Sequence, residues 1–261
     1  MNKVTFLGTG HGMPVRSTST SILIQDDSQH LLCDVAGGHD LLHRFFDGGI
    51  DPTEITNVFI SHADSDHILG IVPLVRAWGK DSDTKRTIFC SQDVKNAIDS
   101  LFTHVAKNHF EKVQNSITFV LLEDRAVHHI GDWQVTFFDI KSSKTPEFGC
   151  HIILADTQTV VYCGDEPLQS HYEDLAQNVD VLIHEAFCLD TAKEQFHPHE
   201  KHHCTVKEAA ENAARMNAKA LLLAHMEDRT LETRKKAYTK EVQEVFSGGV
   251  FVPVDGDQYS F

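Results

Sequence analysis

Three short apolar segments, far apart in the chain, each run straight into a side chain that binds metals. "ITNVFIS" is followed by His62, "TVVYCG" by Asp165 and "ALLLA" by His225. Runs of this length, rich in β-branched residues and bounded by turn residues, read as buried strands. Rigid strands that hold residues on the loops at their ends are the usual way to build an active site. Chance accounts for one such placement far more easily than for three.

The rest of the pattern is strands first, then strands mixed with helices. "KVTFLG", "TSILIQ" and "HLLCDV" read as strands and "HDLLHRFF" as a helix. "PLVRAWG" and "SQDVKNAIDSLFTHVAKN" read as helices around the strand "RTIFC". "SITFVLL", "WQVTFFDI", "HIILAD" and "DVLIHEA" are further strands, and "LETRKKAYTKEVQEVF" is an amphipathic helix. "GVFVPVDGDQYSF" reads as a strand and a hairpin-like end. With 261 residues, 41% of them hydrophobic, the chain buries one sizeable core, or two halves sharing one. No linker or repeat divides it, so one domain over 1–261 is expected.

The segment "FISHADSDHILG" holds His62, Asp64, Asp66 and His67 in close succession, in a chain with 18 histidines. These oxygen and nitrogen donors suit a divalent ion. Such an ion lowers the pKa of bound water toward about 7 and offers counter-charge to a developing oxyanion. Asp165 has two oxygens with which to bridge two ions, and Asp66 suits both an ion and the attacking water. His203 precedes the helix "VKEAAENAARMN", which opens on the capping box Thr205 to Glu208. That end attracts an anionic phosphate and sets a proton donor beside it. Plainer readings stand beside these. Asp165 can cap a turn after Gly164, His225 can be a core histidine, and Asp64 can face solvent. His197, His199 and His202 read as solvated loop residues, Cys163 as core, and His11 is undecided.

In order along the chain, these segments resemble the metallo-β-lactamase fold in its ribonuclease Z-like branch. "LGTGHGMP" is similar to that branch's opening glycine-rich loop and "LLCDVAGGHDLL" to the strand and helix after it. "SHADSDHILGI" stands where the branch has H-x-H-x-D-H. "VYCGDE", "DVLIHEAF", "HHCTVKEAA" and "LLLAHMEDR" resemble its later signature segments. The resemblance implies an α/β (α+β) four-layer αββα sandwich with a metal site at one edge between the sheets. It implies Asp66, His67, Asp165 and His225 around one ion. The other would use His62, the residue at 64, a histidine near 143, and Asp165. His203 would be the proton donor to the leaving group.

Two positions depart from the pattern. Asp64 replaces a histidine, and alignment on Pro146, Phe148 and Gly149 puts Ser143 at the third histidine. A neutral serine is a poor ligand. The expectation is one tight ion, zinc before manganese, on Asp66, His67, Asp165 and His225. A second site on His62 and Asp64 would be weak or empty. Asp34 and Glu185 are expected to hydrogen-bond ligating histidines.

A third departure concerns size. Members that process transfer RNA carry a long arm between the third histidine and the bridging aspartate. Here "KTPEFGCHIILADTQTVVYCG" leaves room for two strands and a turn. The net charge of −15 also repels polyphosphate backbones. Both features favour a metal-dependent hydrolase acting on a small phosphodiester and count against nucleic acid. The alternatives are a transfer-RNA 3′-processing endoribonuclease and a non-catalytic metal- or ligand-binding member. Six cysteines without a C-x-x-C pair read as buried free thiols in a reducing cytoplasm. No long apolar stretch suggests a membrane span. An oligomer stays open.

Overall fold

The computed structural model describes residues 1–261. Its strands form two seven-stranded sheets. The first runs β14 (Gln258–Ser260), β1 (Lys3–Gly8), β2 (Ser21–Gln25), β3 (His30–Cys33), β4 (Asn57–Ile60), β5 (Arg86–Cys90) and β6 (Ile117–Leu121). The second runs β13 (Gly249–Phe251), β12 (Ala220–Ala224), β11 (Val181–Glu185), β10 (Thr159–Tyr162), β9 (Phe148–Ile153), β8 (Trp133–Asp139) and β7 (Val127–Ile130). Each sheet is half antiparallel and half parallel. The parallel halves are β3 to β6 and β10 to β13.

Alternation along the strands sorts the side chains into layers, since neighbouring residues face opposite sides of a sheet. Leu222 and Ala224 of β12 pack between the sheets with Phe6, Phe59, Phe137 and Tyr162. Leu221 and Leu223 face outward, under Val206, Ala209, Ala213, Tyr238 and Val242 of helices Val206–Arg215 and Arg234–Gln243. On the far side, Leu32, Val58 and Ile60 meet Phe45, Leu74 and Ile98 of helices Asp40–Asp47, Ile71–Trp78 and Gln92–His104. These three apolar seams make the four-layer αββα sandwich. A strand buried on both faces needs no polar alternation, which is why "ALLLA" is apolar throughout.

Two expectations are corrected. "SQDVKNAIDSLFTHVAKN" is not one helix: it breaks after His104, and a second helix spans Lys107–Val113. Ala106 takes a left-handed conformation (φ 55°), and the turn brings Phe110 onto Phe102 with ring centroids 4.5 Å apart. The C-terminal segment is not a hairpin either. β13 lies parallel to β12 in one sheet, and β14 lies antiparallel to β1 in the other. Pro253, without an N–H, and Gly256 at φ 90° carry the chain between them. No helix is long and apolar enough to cross a membrane.

Candidate metal centre

Parallel strands deliver their C-terminal ends to one edge of a sheet, where ligand crevices form in α/β proteins. Here β3 leads into Asp34, β4 into Ser61 and His62, β10 into Asp165, β11 ends on Glu185, and β12 leads into His225. Asp34 (φ 59°) and His225 (φ 51°) sit in left-handed backbone, as does Gly164 (φ 77°) just before Asp165. Such turns are uncommon away from glycine and swing the next atoms out of the sheet plane. The short helix Ser65–Ile68 adds Asp66 and His67.

The donors converge on Asp165. Its Oδ2 lies 3.5 Å from His225 Nε2, 3.7 Å from His67 Nε2 and 3.9 Å from His62 Nε2. Asp66 Oδ2 is 3.1 Å from His67 Nε2, and Asp64 Oδ2 is 3.7 Å from His62 Nε2. Tetrahedral bonds of about 2.0–2.2 Å place neighbouring donors roughly 3.3–3.6 Å apart. Three donor groups approach that scale, the ligand atoms of each lying within 4.8 Å of one another: His62, His67 and Asp165; Asp66, His67 and His225; and Asp165, His203 and His225.

Each ring is held from behind so that Nε2 faces inward. His67 Nδ1 donates to Asp34 Oδ2 at 2.9 Å. Asp34 also accepts from Ser61 N–H (2.8 Å) and Tyr162 O–H (2.7 Å). Thr20 Oγ1 donates to Gly10 O, so His225 Nδ1 donates to Thr20 Oγ1 at 3.0 Å. Ser61 Oγ donates to Asp34, so His62 Nδ1 donates to Ser61 Oγ at 3.0 Å. A proton on Nδ1 leaves the Nε2 lone pair to the interior, as a metal requires. Nε2 of His67 is buried and has no hydrogen-bond partner. An orphaned nitrogen amid two carboxylates and two further imidazoles fits a divalent cation.

The electrostatics agree. Burial holds His225 well below the usual imidazole range. Burial would raise the Asp165 carboxyl, but His62, His225 and His67 pull it well below the usual range. Burial would lower His67, but Asp34 and Asp66 hold it well above. Cation binding would therefore release that proton.

His203 stands at the edge of this cluster. Its Nδ1–H donates to Asp165 O at 2.9 Å, and its ring lies flat against Phe187 at 5.0 Å. Burial pushes its pKa down to about 4. Glu185 does not hydrogen-bond any of the rings His62, His67 and His225. It accepts the Cys204 N–H, and its Oε2 lies 3.8 Å from His203 Nδ1. Residue 203 is two places before the N-cap Thr205, and Glu185 fixes the intervening Cys204 N–H, so a partner set for that helix end also aims His203. Asp64 is half exposed and Ser143 is exposed. Cys163 is buried in the core. His11 forms part of the wall, 5.1 Å from the Phe187 ring and 6.5 Å from that of His225. Glu147 was not foreseen. It is buried, and its Oε1 accepts the Asp165 N–H at 2.9 Å. A carboxylate directly before the apolar strand "FGCHII" was the available signal.

Known proteins bear on this arrangement. A family model described as "Anti-Pycsar protein Apyc1" matches residues 2–245. A protein of Bacillus cereus (strain G9842) named "Ribonuclease Z" is 26% identical over 294 residues, covering 93% of this chain and 94% of that one. The metallo-β-lactamase fold protein YhfI of Bacillus subtilis superposes with a TM-score of 0.80 at 24% identity, over 100% of both chains. The short form of human tRNase Z (ELAC1) superposes at 0.77 with 21% identity, over 99% and 98%. These likenesses extend over nearly the whole sandwich, and the glycine-rich loop, strand ends and histidine cluster described above all lie inside the matched span. The chain has the metallo-β-lactamase fold, in its ribonuclease Z-like branch, and belongs to the Anti-Pycsar protein Apyc1 family.

Proposed function

We propose that this hydrolase of the metallo-β-lactamase superfamily cleaves a small phosphodiester. Asp66, His67, Asp165 and His225 would hold one divalent ion, zinc before manganese, and His62 with Asp64 a weaker second. When bound, the ion would supply an activated water and counter-charge for the phosphoryl oxygens. Asp66, whose carboxylate lies beside Gly12 of the glycine-rich loop, would orient the water. His203, with its Nδ1–H on the Asp165 carbonyl and its ring flat on Phe187, would take a second proton on Nε2 once an anionic phosphate beside it favours the charged ring, and pass that proton to the leaving oxygen.

The observation that carries this reading is the convergence of three inward imidazole nitrogens on Asp165 Oδ2, with a fourth ring beside them. The small-substrate reading draws support from the segment between Ser143 and Asp165. It holds β9, a tight turn in which Leu154 N–H donates to Gln158 O, and β10, with no protruding arm. A diphosphatase of the PhnP family, yeast PDE1 and Zn2+-bound PqqB share the fold at TM-scores of 0.71, 0.69 and 0.76. The net charge of −15 favours a small substrate over a polynucleotide. Six free buried cysteines accord with a reducing cytoplasm.

The test is hydrolysis of bis(p-nitrophenyl) phosphate with added zinc or manganese. Turnover that is lost in Asp66→Ala supports the reading. Metal binding without turnover on any phosphodiester would favour a non-catalytic member.

A further inference from the structure

The weaker position has one imidazole, His62, and two carboxylates, Asp64 and Asp165. Ser143 occupies the loop that would complete it, and a hydroxyl is a poor substitute for imidazole. That loop is pinned on three sides. Its base closes with Ile140 N–H donating to Glu147 O at 2.9 Å, and Phe148 N–H donates to Ser61 O, next to His62, at 3.0 Å. Ser142 Oγ donates to Glu166 Oε1, next to Asp165, at 2.6 Å. On the remaining side Ser143 Oγ lies 3.4 Å from His202 Nδ1.

An imidazole is thus present beside position 143, brought by a different segment. His202 sits in left-handed backbone (φ 66°), and the next residue, His203, is tied to the Asp165 carbonyl. Its loop neighbours are engaged elsewhere: His197 pairs with Glu200 at 3.3 Å and His199 with Glu208 at 3.0 Å. His202 is exposed, with Ser143 as its polar side-chain neighbour, so its ring can turn at little cost. We propose that His202 supplies the imidazole missing at Ser143, turning inward when a second divalent cation binds beside His62, Asp64 and Asp165. Neutral imidazole from His202 would bring that shell to two nitrogens and two carboxylates, a set that suits zinc.

This rests on the metal-centre reading above, but its readout is binding and not turnover. Zinc is titrated calorimetrically into wild type, His202→Ala, His62→Ala and the double variant His202→Ala/Ser143→His. Wild type should show a tight class and a weaker class. His202→Ala should weaken only the second, by about tenfold or more, since even groups behind a ligand cost 10–100-fold. His62→Ala should weaken the same class, and Ser143→His should restore it in the His202→Ala background. The ring resonances of His202 should shift only after the first equivalent. The inference is overturned by an unchanged second class in His202→Ala, by no second class in wild type, or by a His202-dependent class that survives His62→Ala. Failure of the restoring variant also overturns it. A protein with this binding pattern and no hydrolysis would instead sink the functional reading alone.

Discussion

Asp34 Oδ2 takes the Nδ1 proton of His67 across 2.9 Å, with both side chains fully buried. The carboxylate is itself fixed by Ser61 and Tyr162, so the ring has one orientation, Nε2 toward Asp165. Asp34→Asn keeps the shape but offers an amide N–H where acceptors are needed. Metal affinity of the tight site is expected to fall about 10–100-fold. Competition with a chromogenic chelator measures it, and an affinity equal to wild type would mean that Asp34 does not orient His67.

Elemental content follows from the donor sets. Asp66, His67, Asp165 and His225 combine two inward imidazoles with two carboxylates, whereas the His62 side has an exposed Asp64 and an exposed Ser143. Protein purified without chelator should carry one tightly held metal per chain. A second should be lost on dialysis. Two zinc ions that both survive dialysis would contradict this.

Precursor transfer RNA should be a poor substrate. The β9–β10 connection is a tight turn, leaving nothing to grip a folded RNA at a distance from the centre. A gel assay at low salt gives binding its best chance. Rapid, site-specific cleavage at the 3′ end would reverse the assignment of substrate class.

His203→Ala should retain metal, because its Nδ1 serves the Asp165 carbonyl and the proposed tight site already has four ligands in Asp66, His67, Asp165 and His225. The rate on an alkyl phosphodiester should drop about 10²–10⁴-fold, the usual range for a general acid. The loss should be much smaller with p-nitrophenolate, which leaves without a proton. Equal slowing of both esters would rule out the acid role, and loss of metal would make His203 a ligand.

His184 offers a pH-dependent stability effect away from the ligands. Its Nδ1–H donates to Glu185 O, and its Nε2 accepts from Leu168 N–H at 3.0 Å and from Asn212 Nδ2 at 3.1 Å. A second ring proton would point at those donors, and burial pushes the pKa to about 4. Because the folded value lies below the ordinary 6.5, the unfolded chain takes the proton first. Stability from this group is full above pH 6.5 and lost as pH falls toward 4, by about 3 kcal/mol in total. Urea unfolding of metal-free protein should show a flatter acid limb in His184→Gln than in wild type.

The layers were legible because periodicity alone decides them: "ALLLA", "TVVYCG" and "VLIHEA" are apolar enough that only a doubly covered sheet accommodates them. That His62, Asp165 and His225 follow strand ends was legible for the same reason. Tyr162, Thr20 and Glu147 were not, since each reaches the centre from another element through its side chain. Nothing local marks a strand tyrosine as the donor to an aspartate 128 residues earlier. The helix break at Ala106 was hidden too, because the stacking of Phe110 on Phe102 overrides a continuous helical pattern.

The parallel strand ends have a mechanical consequence. Residues 62 to 67 hang from the first sheet and residues 165 to 225 from the second, so an ion held among them is a cross-link between the two halves of the sandwich. Binding only to the folded state, at a thousand times its dissociation constant it would add about 4 kcal/mol to stability. Chelation would therefore loosen the seam as well as silence the chemistry. Amide exchange should rise first at Phe148, whose N–H spans from the second sheet to Ser61 of the first, while the outer helices stay protected.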